Sequence, residues 1–83
     1  MDEQVLIDQY IELNPNRPGG AEARLRGYGV SVWALVSYLE AVHGDVGRVA
    51  ADYDLPGEAV DAALAYYRKH MDTIDARRAL SVA

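Results

Sequence analysis

The side chains best suited to chemistry in this chain are four carboxylates that lie close together in the sequence. They are Asp52, Asp54, Glu58 and Asp61, and such a cluster is a candidate for an active site. The same acids flank a predicted turn and the start of a predicted helix, where acidic groups interact favourably with the helix dipole. We therefore interpret them as structural, and predict that the protein is not an enzyme and binds no cofactor or metal.

Basic side chains form the second group that could bind a ligand, because guanidinium and ammonium groups bind phosphates and carboxylates. Three of them, Arg17, Arg24 and Arg26, fall in residues 13–33, the only basic segment of the chain. The alternative, which we favour for those three, is a solvated surface. Five basic side chains are candidates for DNA contact: Arg17, Arg24, Arg26, Arg68 and Lys69.

The composition is that of one small folded domain, residues 1–83. Hydrophobic residues make up 51% of the chain and charged residues 25%, as in ordinary globular proteins. The net charge of −5 argues against general nucleic-acid binding. There is no cysteine, phosphate-binding loop, paired metal-ligand spacing or membrane-spanning run, so we expect a cytoplasmic protein. A domain this small is marginally stable alone, and we expect a homodimer or a protein partner.

Two short helices that meet at a sharp turn are predicted between Asp45 and Tyr67. Asp45 is a suitable N-cap, and the apolar residues that follow it recur with helical spacing. Asp54 lies where the chain must reverse, because Asp tolerates the left-handed backbone conformation better than most residues. Pro56 can begin the second helix. This arrangement is typical of a helix-turn-helix unit.

The outward face of the second helix is poorly suited to reading DNA. In a DNA-reading unit the N-terminal residues of this helix enter the major groove. Here none of the outward residues is a donor of the kind that binds purine edges, and two are carboxylates that would face a polyanion. We therefore expect this face to serve protein contact or no contact. The outward residues are Pro56, Gly57, Glu58, Asp61, Ala62 and Ala65.

A further helix is predicted from Ser31, its cap, to about His43, with an apolar stripe along one side. Trp33 and Tyr38 lie largely off that stripe. They either cover the hairpin or form an exposed aromatic surface, and exposed aromatic residues often carry much of the energy of a protein interface.

The C-terminal segment, residues 72–83, is predicted to prolong the second helix of the pair by a turn or two. It then frays, or it folds against a partner through apolar residues that include Ile74 and Leu80. With Trp33 and Tyr38, these two residues complete the predicted partner-binding set.

The N-terminal third is predicted to form a small hairpin, or wing. Val5–Leu13 mixes β-branched and aromatic residues and favours a strand, and residues 14–20 are rich in turn formers. Residues 21–30 would return as a second strand with Leu25 inward. The predicted fold is therefore mainly α: a small winged helix-turn-helix of three helices preceded by a short β-hairpin. Its parts are residues 1–30, residues 31–71 and a C-terminal extension, residues 72–83.

Several motifs occur in an order that resembles a bacterial and archaeal antitoxin-like family, domain of unknown function family 433, over roughly residues 10–68. The family pattern has Thr-Arg where this chain has Tyr28 and Gly29, and Pro where it has Ala23. The residues that carry the resemblance are Asn14, Pro15, Gly19, Gly20, Leu25, Arg26, Gly27, Val30, Val32, Tyr53, Leu55, Ala63, Leu64 and Tyr66.

This resemblance implies a small winged helix-turn-helix protein of the VapB-like kind, the antitoxin half of a toxin-antitoxin pair. It implies that the partner is a PIN-domain ribonuclease, which the antitoxin neutralises by protein contact. The alternative is a transcriptional regulator or autorepressor that binds DNA through its basic wing.

Overall fold

The fold, given by a computed structural model that describes residues 2–17 and 19–81, is mainly helical. Over these residues it contains five α-helices, one 3-10 helix and one short antiparallel pair of strands. The elements in chain order are α1 (Glu3–Tyr10), β1 (Ile11–Glu12), a 3-10 helix (Gly20–Glu22), β2 (Arg24–Leu25), α2 (Val32–Ala41), α3 (Val46–Tyr53), α4 (Gly57–Lys69) and α5 (Met71–Leu80).

The first helix, α1, replaces most of the predicted first strand, so that prediction was wrong. Asp2 caps α1 by accepting a hydrogen bond of 3.2 Å from the backbone amide of Gln4. Leu6, Ile7 and Tyr10 then recur with helical spacing and pack into the core. Tertiary packing therefore outweighs the strand preference of the β-branched residues, which is a weak and context-dependent bias.

The hairpin is much shorter than predicted. Ile11 pairs with Leu25 and Glu12 pairs with Arg24, and no other residues belong to the two strands. Leu25 is fully buried, as predicted. The chain before β2 forms the 3-10 helix, and the chain after it turns at Gly27 and Gly29, which both have positive φ. A longer second strand is therefore not formed.

The pair of helices around Asp54 forms as predicted. Asp45 caps α3 by accepting a hydrogen bond of 3.0 Å from the amide of Arg48. Asp54 takes the left-handed conformation, with φ 55° and ψ 50°, and Leu55 follows into the core. Pro56 is the N-cap of α4, so this helix begins at Gly57, one residue later than expected.

The fourth helix, α4, is the centre of the domain and contacts every other helix as well as the hairpin. Its core residues are almost all small, which lets neighbouring helices approach closely. Ala62 and Ala65, predicted to face outward, are 0% and 1% exposed. The prediction of an open reading face on this helix was therefore wrong at these two positions.

The fifth helix, α5, is a separate element and not a prolongation of α4. The backbone of His70, with φ −132°, breaks the helix, and α5 packs against α2 and the 3-10 helix. Ile74 from α5 is fully buried. Ile74 therefore anchors this helix to the core, and the prediction of a prolonged, fraying tail is wrong for residues 72–80. Val82 and Ala83 lie outside the described residues.

Candidate functional site

The two hairpin arginines predicted as candidates for DNA contact both bond to neighbouring residues of the fold, although Arg24 is half-buried and Arg26 remains exposed. The Arg24 guanidinium pairs with the Glu12 carboxylate at 2.7 Å across the hairpin. Arg26 donates hydrogen bonds to the carbonyl oxygens of Asp8 and Ile11, at 3.2 and 3.1 Å. Because those carbonyls lie at the C-terminal end of α1, where helix carbonyls lack intrahelical partners, Arg26 helps to terminate that helix. Arg17 lies exposed in the preceding loop.

Hydrogen bonds at both ends fix α1 along α4. Arg68 pairs with Glu3 at 2.6 Å, and the Lys69 ammonium donates to the Gln4 side-chain oxygen at 2.8 Å. At the opposite end, the Tyr10 hydroxyl donates to Glu58 at 3.0 Å. Residues near the start of α1 therefore meet the end of α4, so the two helices run antiparallel. The remaining two candidates for DNA contact, Arg68 and Lys69, link the exposed ends of this pair of helices.

Tyr38 lies in a polar contact between α2 and α3. Its hydroxyl donates a hydrogen bond to the Asp52 carboxylate, which also accepts from Arg48 at 3.4 Å. Its ring meets Tyr53 edge to face, with centroids 5.4 Å apart. The hydrogen bond to Asp52 raises the pKa of Tyr38, and the same bond, with Arg48, lowers the pKa of Asp52. Tyr38 is half-buried, and its contacts join α2 to α3.

Trp33 belongs to α2 and is half-buried on the side that faces α5. The Arg77 guanidinium lies 4.1 Å from the centre of the indole ring, a cation–π contact, and also pairs with Glu22 of the 3-10 helix. The indole Nε1 is buried and finds no acceptor among residues 2–17 and 19–81. Trp33 is thus part of the contact that attaches α5.

The four predicted partner-binding residues do not form one exposed patch. Ile74 is fully buried, and Trp33 and Tyr38 are half-buried and engaged within the fold. Leu80, at 82% exposed, is open to solvent. The prediction that Ile74 is available to a partner is therefore wrong.

Most of the basic groups of the described chain bond to an oxygen within the fold, whereas more than half of the acidic groups lack a cation as a partner, although several of these acids accept a hydrogen bond from a neutral donor. Of the eight Lys and Arg residues, seven bond to a carboxylate, amide or carbonyl oxygen. Of the thirteen acids, six pair with a cation, which leaves seven without one in residues 2–17 and 19–81. Those seven are Asp2, Asp8, Asp45, Asp54, Glu58, Asp61 and Asp72.

A groove of about 410 Å³ runs between α1 and α4, and its lining residues come from these two helices alone. The apolar part is formed by Leu6, Leu64 and the buried Ala65. The charged part is formed by Glu58 and Asp61, together with the Glu3–Arg68 ion pair. With one cation against three carboxylates, the groove has a formal charge of −2.

Sequence reasoning missed this groove because it placed the α1 residues in a strand. A signal was present: Asp2 is a good N-cap, and Leu6, Ile7 and Tyr10 follow with helical spacing. In the part of the chain that the structure describes, no three His, Cys, Asp or Glu residues come together to hold a metal ion. None of its helices is long and apolar enough to cross a membrane.

The profile of one protein family, described as "Protein of unknown function (DUF433)", matches residues 11–67. The chain belongs to the DUF433 family. This result confirms the family resemblance seen in the sequence, but the family description carries no activity or partner. No curated protein and no solved structure matches the chain.

The DUF433 match covers the hairpin, α2, α3 and most of α4, whereas α1 and α5 lie outside it. Several residues that carried the resemblance have structural roles here. Gly19 and Gly27 adopt positive φ, Leu25 is buried, and Arg26 caps α1. The Tyr66 hydroxyl donates to the carbonyl of Gly20 at 3.1 Å. These motif residues therefore hold the fold together.

Proposed function

We propose that this DUF433 protein is the antitoxin half of a toxin-antitoxin pair, which binds and neutralises a PIN-type ribonuclease by protein contact in the cytoplasm. In this proposal α3, the turn at Asp54 and α4 are a helix-turn-helix unit that is kept for its packing. The resemblance seen in the sequence supplies the class of partner.

The observation that carries the proposal is the position of α1 on α4. The buried Ala62 and Ala65 belong to the face with which such a helix would enter a major groove, and α1 is bonded along α4 at both ends. Insertion into DNA would require the loss of those bonds. This favours a protein partner over a nucleic acid.

The charge distribution supports the same proposal. A ribonuclease binds a polyanion, so its substrate-binding surface is favoured to be basic. An acidic protein whose own cations are already paired is electrostatically complementary to such a surface. Association with DNA would instead have to overcome repulsion between the unpaired carboxylates and the phosphates.

The proposal is tested by purifying the tagged protein from its own cells at moderate salt and identifying the proteins and nucleic acid that accompany it. We expect a PIN-type ribonuclease in stoichiometric amount, with its RNA cleavage suppressed in the complex. Enriched DNA from one promoter without a protein partner would refute the proposal and establish the DNA-binding alternative.

The DNA-binding alternative makes a separate prediction for the basic wing. If it holds, binding to the promoter weakens steeply with salt and is lost when Arg24→Ala is combined with Arg26→Ala. Because both side chains also support the fold, the double variant must first be shown to be folded by circular dichroism.

Light scattering on the free protein distinguishes the expected homodimer from the 9.1 kDa monomer.

A further inference from the structure

We propose that the groove between α1 and α4 is the docking site for a basic amphipathic segment of the partner protein, with an apolar side chain seated on Leu6 and Leu64. This inference rests on the proposed function, because it names the surface by which the partner is held. It places recognition away from Trp33, Tyr38 and Ile74.

The shape of the groove fits a segment of chain. Its volume is about 410 Å³. Only α1 and α4 line it, so it follows two antiparallel helices and is not enclosed on all sides. Recognition of a helix in a groove between helices uses this geometry, with apolar side chains as anchors.

The charge of the groove specifies the chemistry of the occupant. Glu58 and Asp61 are both exposed and stand three residues apart, on the same side of α4, so the two carboxylates repel each other. Glu58 accepts a hydrogen bond from Tyr10, and Arg68 is already paired with Glu3. A lysine or arginine from a partner would relieve the repulsion between Glu58 and Asp61, whereas an acidic segment would increase it.

The apolar part of the groove favours an occupant that has apolar side chains as well as a cation. Leu6 and Leu64 are each half-buried at the edge of the core, so both retain apolar surface beside the carboxylates. Burial of that surface is favourable in proportion to the area removed from water. The occupant is therefore a segment in which basic residues alternate with apolar ones at helical spacing.

The test is a titration of the ¹⁵N-labelled full chain with a synthetic amphipathic peptide that has leucine on one helical face and lysine and arginine on the other. We expect the largest chemical-shift changes at the amides of Leu6, Asp61, Leu64 and Ala65. A peptide of the same composition in scrambled order, and one with its leucines replaced by serine, should both bind at least about tenfold more weakly, since each lacks an apolar face.

A matched pair of variants separates docking from general charge. Asp61→Lys reverses a charge inside the groove, and Asp72→Lys makes the same change in net charge on an exposed residue of α5 outside the groove. We expect Asp61→Lys to weaken peptide binding about tenfold, because it removes an attraction and adds a repulsion, and Asp72→Lys to stay within about twofold. Equal weakening by both variants, or equal binding of the scrambled peptide, would overturn the inference.

The same two variants distinguish failure of the groove from failure of the proposed function. If the ribonuclease binds Asp61→Lys and Asp72→Lys as tightly as the wild-type chain, the groove is not the docking site although the antitoxin function stands. If no ribonuclease accompanies the wild-type chain, the antitoxin function is refuted.

Discussion

The hydroxyl of Tyr66 on α4 donates a hydrogen bond of 3.1 Å to the carbonyl oxygen of Gly20, which lies 46 residues earlier in the chain. The approach is so close that a Cβ atom on Gly20 would lie 2.6 Å from that hydroxyl oxygen. Glycine is therefore needed at position 20 for space, because the phenol of a central helix occupies the volume that a side chain would fill. Both residues lie within the segment matched by the DUF433 profile.

The first prediction concerns this contact. Gly20→Ala should lower the free energy of unfolding by about 1–3 kcal/mol, the usual cost of an overpacked site. Tyr66→Phe should cost about 1 kcal/mol through the lost hydrogen bond. In the Tyr66→Phe background the alanine should cost less, since the clashing atom is gone. Urea unfolding of the four proteins gives this double-mutant cycle.

The control for this cycle is Gly47→Ala in α3. A Cβ there meets the Asp45 carboxylate at 3.5 Å, an ordinary van der Waals distance. Alanine in a helix should raise stability by roughly 0.5–1 kcal/mol. If Gly20→Ala cost the same in both tyrosine and phenylalanine backgrounds, steric conflict with the hydroxyl would not be the cause.

The second prediction compares Arg26, which bonds to two backbone carbonyls, with Arg17 of the preceding loop; both side chains are exposed. Arg26→Ala should lower the free energy of unfolding by about 1 kcal/mol, because the carbonyls of Asp8 and Ile11 lose a charged donor. Arg17→Ala, which removes the same charge from an exposed loop, should change it by less than about 0.5 kcal/mol. Equal effects in urea unfolding would show that Arg26 does not stabilise the end of α1.

The third prediction tests whether α5 belongs to the core. Ile74→Ala removes apolar atoms from a fully buried site and should cost about 2–5 kcal/mol of unfolding free energy. Leu80→Ala, near the end of the same helix but 82% exposed, should change stability by less than about 0.5 kcal/mol. Thermal unfolding at one protein concentration measures both, and a mild effect of Ile74→Ala would favour a loosely attached helix.

The fourth prediction concerns pH and the contact between Tyr38 and Asp52. The hydrogen bond from Tyr38, with Arg48, holds the pKa of Asp52 below its ordinary 3.8. A lowered pKa in the folded state means stability that is present above about pH 3.8 and is lost as the pH falls through the folded-state pKa. In Tyr38→Phe the pKa of Asp52 should rise, as carboxyl chemical shifts during an NMR titration will reveal.

The fifth prediction concerns stability at alkaline pH, which depends on tyrosines whose pKa values are raised in the folded state. Hydrogen bonds to Glu58, Asp52 and Asp75 raise the pKa values of Tyr10, Tyr38 and Tyr67 above the ordinary 10.0. Their contribution to stability is therefore present below pH 10 and is lost as the pH rises through the raised values. A triple Phe variant should show a weaker pH dependence of the unfolding midpoint above pH 10; an unchanged dependence would contradict this role.

Local sequence signals determined those parts of the fold in which the deciding interaction lies within a few residues. The cap at Asp45, the reversal at Asp54 and the apolar stripe of α2 all formed as predicted. The Asp45 carboxylate bonds to the backbone of its own turn, the Asp54 backbone takes a conformation that Asp tolerates, and the α2 stripe repeats with the period of its own helix. The order of short motifs likewise determined the family.

Tertiary structure decided the rest, because contacts between distant residues outweigh weak local preferences. For α1 the local signals conflict, since the Asp2 cap favours a helix and the β-branched residues favour a strand, and the packing of Leu6, Ile7 and Tyr10 against the core decides for the helix. The hairpin arginines looked free in the sequence, yet Glu12 and the end of α1 engage them. The groove exists only because α1 lies antiparallel on α4, and no local pattern in either segment specifies that its carboxylates and leucines share one surface.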